Sequence, residues 1–298
     1  MRKLFNCKVY KVSIDGGFSC PNRDGKKGFG GCIFCDETGS SARTQNQTLS
    51  IKEQTLKNIE FRKTRYKAKK FIVYFQSFSN TYEKTDLLEK KYLEAIKAHK
   101  DIVGISISTR ADCIDEEKIK LIASLKKIVP YVNIEYGMQT SHNKTLEKLN
   151  RKETFEDFLY ALEITKKYGI NHCAHIILGL IDETYKDQLK TADKLANLKV
   201  QGVKIHLLVA MKNTLLQKMY ENKSWKPLSF DEYISLSCSF LERLHKDCII
   251  HRISSSGHLK HLVAPKWMIE KKLKIIPAIL EEFLSRKTTQ GFHCKYPK

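Results

Sequence analysis

Three features of this 298-residue sequence predict an α/β fold built on parallel strands. Short apolar and β-branched runs recur along the chain, longer amphipathic segments separate them, and hydrophobic residues make up 42% of the total. Strands that alternate with helices are typical of βαβ units and of a parallel sheet. Six such strands fit either a doubly wound sheet or a partial barrel.

The apolar runs predict six strands, with a helix in each interval. The strands are Lys8–Ile14, Lys70–Phe75, Val103–Thr109, Tyr131–Tyr136, Asn171–Leu178 and Gly202–Leu208. The helices cover residues 50–66, 84–99, 115–128, 153–168 and 184–198. The alternation fades after residue 210, where helical patterns at 229–246 and 266–286 follow. We therefore expect a strand–helix domain at 1–210 and a C-terminal extension at 211–298 packed on it.

The composition argues against a membrane protein or a secreted one. Charged residues make up 29% of the chain, and no apolar run approaches the ~20 residues that a membrane-spanning helix needs. The first residues contain no apolar segment of the kind that a secretory signal has. Nine cysteines in such a chain are not typical of a disulfide framework. We expect a cytoplasmic protein with no membrane partner.

The charge of the chain favours a polyanionic partner. Lysine and arginine number 53 against 33 acidic residues, for a net charge of +20, and nucleic acid is the usual partner of such an excess. The excess is mostly lysine, which is also typical of a solvated lysine-rich surface. The densest basic stretch, residues 62–70, places Tyr66 among its cations and suits either an RNA contact or a solvated helix end.

Three cysteines lie in a glycine-rich loop directly after the first predicted strand. Cys20, Cys32 and Cys35 have the spacing C-x11-C-x2-C, and six glycines fall between residues 16 and 31. A structural zinc site takes four ligands, and residues 36–50 contain no further Cys or His. Three thiolates favour a [4Fe–4S] cluster with one open iron, although zinc stays an alternative on spacing alone. In barrels of parallel strands, active sites lie at the carboxyl ends of the strands, where this loop begins.

Several ordered blocks of the sequence carry a family resemblance. They include Ser13-Ile-Asp-Gly-Gly-Phe-Ser-Cys-Pro-Asn-Arg-Asp-Gly, Gly30-Gly-Cys-Ile-Phe-Cys and Glu135-Tyr-Gly-Met-Gln-Thr-Ser-His. With these blocks the chain resembles the radical S-adenosylmethionine (SAM) superfamily, and within it the YhcC/YtqA-type branch related to Elongator-type and methylthiotransferase-type enzymes. The resemblance implies a partial (β/α)6 TIM-type barrel, with Cys20, Cys32 and Cys35 on three irons of the cluster and SAM on the fourth. It also implies reductive cleavage of SAM to a radical that abstracts a hydrogen atom from the substrate.

The same resemblance implies a set of residues that contact SAM. The candidate SAM-binding residues are Phe34, Gln76, Ser77, Ser108, Glu135, Arg151 and Gly179. In this scheme Phe34 lies against the adenine, Arg151 pairs with the SAM carboxylate and the backbone at Gly179 meets the adenine. A plain ion pair of Glu135 with Arg151 is the alternative. No residue is assigned a catalytic role.

The resemblance points to tRNA as the substrate. YtqA-type members are associated with the wobble uridine, whose 5-carboxymethylaminomethyl group is converted toward the aminomethyl and methylaminomethyl forms. An electron donor such as flavodoxin or ferredoxin is implied as a second partner. Two alternatives stay open: a radical SAM enzyme that acts on a small molecule or peptide, and a non-enzymatic, zinc-stabilised RNA-binding protein.

Overall fold

The computed structural model describes residues 1–39, 48–254 and 259–296 and shows two compact units. The first unit comprises Met1–Lys27, Thr38–Tyr136 and Asp157–His172. The second unit comprises Gly28–Glu37, Gly137–Glu156 and Cys173–Lys298. The cysteine loop is therefore divided, with Cys20 in the first unit and the other two cysteines in the second.

Helices and strands alternate along most of the chain. The helices are α1 (Arg2–Phe5), α2 (Ile51–Tyr66), α3 (Thr85–Lys97), α4 (Glu116–Ser124), α5 (Asn143–Lys148), α6 (Phe155–Lys167), α7 (Tyr185–Asn197), α8 (Leu215–Glu221), α9 (Phe230–Arg243), α10 (Trp267–Glu270) and α11 (Ile275–Arg286). The strands are β1 (Val9–Ile14), β2 (Lys70–Phe75), β3 (Ile102–Thr109), β4 (Tyr131–Gln139), β5 (Asn171–Leu178), β6 (Gly202–Leu207), β7 (Ala210–Met211), β8 (Ile249–Arg252) and β9 (Leu262–Ala264).

Capping boxes begin the helices α2, α7 and α9. At the start of α2, the Ser50 side chain accepts a hydrogen bond from the backbone of Glu53, and the Glu53 carboxylate accepts one from the backbone of Ser50. The same reciprocal pair opens α7 and α9. Because each box satisfies two backbone N–H groups that the helix leaves without partners, these starts are fixed by local sequence.

The sheet of the first unit has one apolar face and one polar face. Its four strands are parallel and neighbour one another in the order β1-β2-β3-β4. The register aligns a buried apolar row, Val12, Val73, Ile105 and Val132, in which no residue is more than 1% exposed. The next row is Ser13, Tyr74, Ser106 and Asn133, and it faces the other way because successive residues of a strand alternate sides.

The second unit combines parallel strands with a small antiparallel pair. β6 lies between β5 and β8 and is parallel to both, whereas β7 and β9 are antiparallel. The apolar cluster beside that antiparallel pair includes Leu149, Leu208, Leu216 and Ala264, all at most 1% exposed. α9 packs against both α7 and α11.

All six predicted strands are present, and the largest difference is the extension of β4 to Gln139. The six predicted strands nevertheless leave out β8, which is parallel to β6, and the short antiparallel pair of β7 and β9. β8 has only four residues and its first residue is 60% exposed, so it makes no apolar run. The helix predicted at 266–286 is two helices separated by a 3₁₀ turn at Lys272–Lys274. The domain boundary at residue 210 stays a prediction.

None of the helices in the described residues combines the length and the apolar character that a membrane span requires.

Candidate functional site

Glu135 lies on the polar face of the first unit and is the centre of a hydrogen-bonded cluster. Its side chain is fully buried, and the carboxylate accepts hydrogen bonds from Lys11, from the Ser106 hydroxyl at 2.7 Å and from the Asn133 amide at 3.3 Å. The Lys11 side chain is 29% exposed, and its ammonium lies 4.7 Å from the centre of the Tyr74 ring. Four strands therefore contribute to one polar cluster around this candidate SAM-binding residue.

The partners of Glu135 were not predicted from the sequence. Ser106 and Asn133 are directly opposite each other on β3 and β4, and the Asn133 amide donates to the Ser106 hydroxyl at 2.9 Å. A signal for them exists in the sequence, because polar residues occupy alternate positions of strands that are otherwise apolar. Strands of a parallel sheet are normally apolar on both faces. Polar residues at alternate positions therefore indicate that one face does more than pack in the hydrophobic core.

Hydrogen bonds connect the loop that follows β2 to the loop that follows β1 and to the end of β3. The Ser79 N–H donates to the carbonyl of Ser19 at 3.2 Å. Asn80 donates to the carbonyl of Ser108 twice, from its backbone at 3.2 Å and from its side chain at 2.7 Å. The carboxyl ends of three neighbouring strands are thus held together, which is the edge of a parallel sheet where ligands bind.

Four predicted site residues lie at this edge. Cys20 is partly exposed and opens a turn in which its carbonyl accepts from the backbone of Arg23 at 2.8 Å. Gln76 directly follows β2 and is partly exposed, and Ser77 is 1% exposed. The structure therefore brings Cys20, Gln76, Ser77 and Ser108 to one region of the first unit, while their contacts with SAM stay predictions.

The other two cysteines lie on one tight turn of the second unit. The Cys35 N–H donates to the Cys32 carbonyl at 3.0 Å, and Cys32 is 7% exposed. The turn is preceded by Gly30 and Gly31, with φ of 76° and 80°. Residues with a β-carbon rarely adopt a positive φ, so glycine at these two positions allows the chain to bend sharply before the turn.

The segment that follows α5 holds this turn in place. The Ile33 N–H donates to the Leu149 carbonyl at 3.1 Å, and the Asn150 amide donates to the Gly31 carbonyl at 2.9 Å. Neither contact was predicted, since the two segments are more than a hundred positions apart in the sequence. The position of the second and third cysteines is thus set by residues 149 and 150.

Arg151 extends this support to a cysteine sulfur. Its guanidinium donates to the Cys32 sulfur at 3.6 Å, to the Gly137 carbonyl at 2.8 Å and to Glu153 at 3.3 Å. Arg151 and Glu153 are 8% and 6% exposed. Arg151 forms an ion pair with Glu153, and Glu135 forms one with Lys11.

Phe34 and Gly179, the two residues predicted at the adenine, also lie in the second unit. Phe34 is partly buried and packs against the apolar cluster that includes Leu149. Gly179 has a φ of 80°, and its N–H donates to the Gln188 side chain at 2.6 Å. A β-carbon at this glycine would lie 3.0 Å from Leu228. Their contacts with SAM stay predictions.

The cysteine donors suit an iron–sulfur cluster. All nine cysteines are free thiols, and the second and third predicted ligands share one turn. A guanidinium that donates to a ligand sulfur is the kind of surrounding hydrogen bond that orients metal ligands. Across the described residues, no three His, Cys, Asp or Glu side chains form a ready-made metal site. The ligand set of Cys20, Cys32 and Cys35 therefore stays a prediction.

Nearly the whole chain matches known protein families and individual proteins. Residues 22–195 match the Radical SAM superfamily, and residues 200–284 match the Radical_SAM C-terminal domain. The chain is 39% identical to YtqA of Bacillus subtilis (strain 168), over 98% of this chain and 89% of that protein. It is 30% identical to YhcC of Escherichia coli (strain K12), over 98% of this chain and 92% of that protein.

A solved structure shares the fold. The archaeal Methanocaldococcus infernus Elp3 superposes with a TM-score of 0.72 at 15% identity and covers 95% of this chain. This chain spans 64% of that chain, from which the N-terminal residues 1–46 are deleted. The likeness confirms the predicted α/β fold class.

Several more distant relatives carry descriptive names, and one of them is a tRNA enzyme by its name. It is the tRNA uridine(34) acetyltransferase of Methanocaldococcus jannaschii, 26% identical over 160 residues, which are 53% of this chain and 29% of that protein.

Proposed function

Because the chain belongs to the radical SAM superfamily, we propose that it modifies the wobble uridine of tRNA by radical chemistry. The family uses a [4Fe–4S] cluster and SAM, which when bound supply a radical able to remove a hydrogen atom from an unactivated carbon. The proposed reaction lies in the conversion of a 5-carboxymethylaminomethyl group toward the aminomethyl and methylaminomethyl forms. A radical of this kind is able to break a C–H bond of that side chain.

The residues of the chain have positioning roles in this proposal. Cys20, Cys32 and Cys35 hold the cluster, and the hydrogen bond from Arg151 orients the Cys32 sulfur. The planar guanidinium also suits the SAM carboxylate, since its parallel N–H groups match two carboxylate oxygens. Glu135 presents a buried carboxylate on the polar face of the sheet, where it would accept hydrogen bonds from SAM.

The observation that carries the choice of substrate is the net charge of +20. Contacts with phosphates supply most of the affinity of proteins for RNA, and they require clustered cations. The charge agrees with the name of the relative that acts on uridine 34 of tRNA, the wobble position. A radical SAM enzyme for a small metabolite has no need of such an excess.

A cationic and aromatic platform at the end of α2 suits the same partner. Tyr66 stacks on Tyr10 with ring centres 5.0 Å apart and planes at 12°. The guanidinium groups of Arg62 and Arg65 lie 5.3 Å and 5.6 Å from the centre of the Tyr66 ring. Unpaired RNA bases are bound by aromatic rings and guanidinium planes together, so this platform supports an RNA partner.

The decisive experiment is nucleoside mass spectrometry of tRNA from a strain with and without the gene. We expect loss of a modified wobble uridine and accumulation of its less processed form. The tRNA from the deletion strain is then treated with anaerobically reconstituted protein, SAM and a reductant, which should restore the nucleoside and release 5′-deoxyadenosine. Unchanged wobble uridines in the deletion strain refute the tRNA assignment. SAM cleavage that tRNA does not stimulate would favour a small-molecule or peptide substrate.

A further inference from the structure

The sheet of the second unit carries cationic and imidazole side chains on one face. His175 on β5 is the register partner of Lys204 on β6, and Ile177 is the partner of His206. Because side chains two positions apart in a strand share a face, His175, Lys204 and His206 lie on the same side of the sheet. The rings of His175 and His206 have centres 5.5 Å apart.

A third strand adds two more basic groups. Arg252 on β8 is the register partner of Lys204, and the register shifts by one residue between Val203 and Lys204. At such a bulge two residues of one strand lie opposite a single residue of its neighbour. The ring of His251 lies where a side chain at position 202 would be, since a β-carbon on Gly202 would approach its Nε2 atom to 2.5 Å. We call His175, Lys204, His206, His251 and Arg252 the basic face.

The opposite side of the same strands is ordinary core. Ala174, Ile176, Val203 and Ile205 are at most 1% exposed. On the basic face, by contrast, all three histidines and Arg252 are partly exposed, and only Lys204 is buried. Parallel strands are usually apolar on both faces, so a face with several partly exposed basic side chains is unusual.

We propose that the basic face binds an anionic group of the RNA substrate, either a carboxylate on the modified base or a backbone phosphate. The chemistry follows from the side chains: an ammonium and a guanidinium donate only, and a protonated imidazole donates from both nitrogens. His206 is the residue before the last one of β6, near the carboxyl edge where parallel sheets bind ligands. This inference rests on the proposed function for the identity of the substrate, but not for the binding of an anion.

The first experiment measures anion binding on the reconstituted full chain with 13C-labelled histidine. The ring signals of His175 and His206 are assigned by their disappearance in H175Q and H206Q. We expect both signals to shift saturably with inorganic phosphate or with N-acetylglycine. The signal of His293, an exposed control residue, should show no saturable shift. In H175Q, the remaining His206 signal should need about tenfold more anion, as expected for one lost hydrogen bond to a charged group. Tighter binding of N-acetylglycine identifies a carboxylate of the modified base as the ligand. Tighter binding of phosphate identifies a phosphate of the RNA backbone. The absence of a saturable shift with either anion overturns the proposal.

The second experiment connects the face to the substrate. Affinity is measured for tRNA from the deletion strain, with its carboxylates free or converted to methylamides. If the ligand is a carboxylate, amidation of the tRNA should weaken its binding to the unmodified protein about tenfold. Amidation should not change its binding to the H175Q/H206Q double variant. For a phosphate ligand, the double variant should bind both tRNAs equally weakly, whereas H293Q binds normally. Equal binding by the double variant and the unmodified protein overturns the role in substrate recognition. Anion binding without any tRNA binding refutes the tRNA assignment and leaves the anion site standing.

Discussion

The buried ion pair of Lys11 and Glu135 should be strongly coupled energetically. The E135Q variant keeps the shape of the side chain but removes its charge, and K11M removes the ammonium while retaining a long apolar stem. Each single variant leaves the other partner inside a polar cluster that also contains Ser106 and Asn133. Loss of one partner from a buried ion pair costs about 3–5 kcal/mol.

The structure reduces that figure for this pair. Glu135 is fully buried, but the Lys11 side chain is 29% exposed and can recover some hydration when the carboxylate is lost. We therefore expect each single variant to lower the free energy of unfolding by about 2–3 kcal/mol, just below the range for a fully buried pair. In the double variant neither charge is left alone, so the coupling between the two substitutions should be about 1–3 kcal/mol.

The assay is urea unfolding of the unmodified protein, both single variants and the double variant, monitored by circular dichroism. The exposed ion pair of Lys148 and Asp182, with side chains 52% and 62% exposed, provides the control cycle. Its coupling should fall below about 1 kcal/mol, because water screens exposed charges. Additive effects of K11M and E135Q, within about 0.5 kcal/mol, would show that the buried cluster does not act as a unit.

Three other perturbations test the site and its supports. Arg151→Lys keeps the charge but loses the fixed fork that reaches the Cys32 sulfur, and we expect iron affinity to fall about 10–100-fold in a chelator competition; an unchanged affinity contradicts the positioning role. Gly179→Ala imposes a left-handed backbone on alanine and crowds Leu228, which should cost about 1–3 kcal/mol in urea unfolding, and a neutral result contradicts the strain argument. Burial lowers the pKa of His172 to about 4, so the unfolded chain binds a proton below pH 6.5 that the folded chain does not. Stability should fall by about 3 kcal/mol as the pH drops from 6.5 to 4, and H172Q should lack this component; equal pH slopes refute it.

The sequence predicts the strands better than the surroundings of the site. β1 to β6 follow from runs of β-branched residues that burial on a parallel sheet explains directly. β8 was missed because four residues with an exposed Ile249 carry no such pattern, and its strand character comes from pairing with β6. Tertiary contacts decide a strand of this kind, and local composition does not.

The same distinction applies to the candidate site. The cysteine spacing is local, so Cys32 and Cys35 could be recognised without coordinates. The supports of their turn, Leu149 and Asn150, could not be recognised, because they are brought to it by long-range folding. The role of Lys11 was equally hidden, since its partner Glu135 is 124 positions away. Only the polar alternation of the strands pointed to that face.

Metal analysis with matched cysteine variants tests the central claim most directly. The anaerobically reconstituted protein should contain about four iron atoms and four sulfides per chain and should release 5′-deoxyadenosine from SAM when reduced. Substitution of Cys20, Cys32 or Cys35 by alanine should abolish both, whereas Cys7→Ala and Cys294→Ala, at two other partly exposed thiols, should abolish neither. Stoichiometric zinc in place of iron, or full iron content in the three loop variants, would contradict the account.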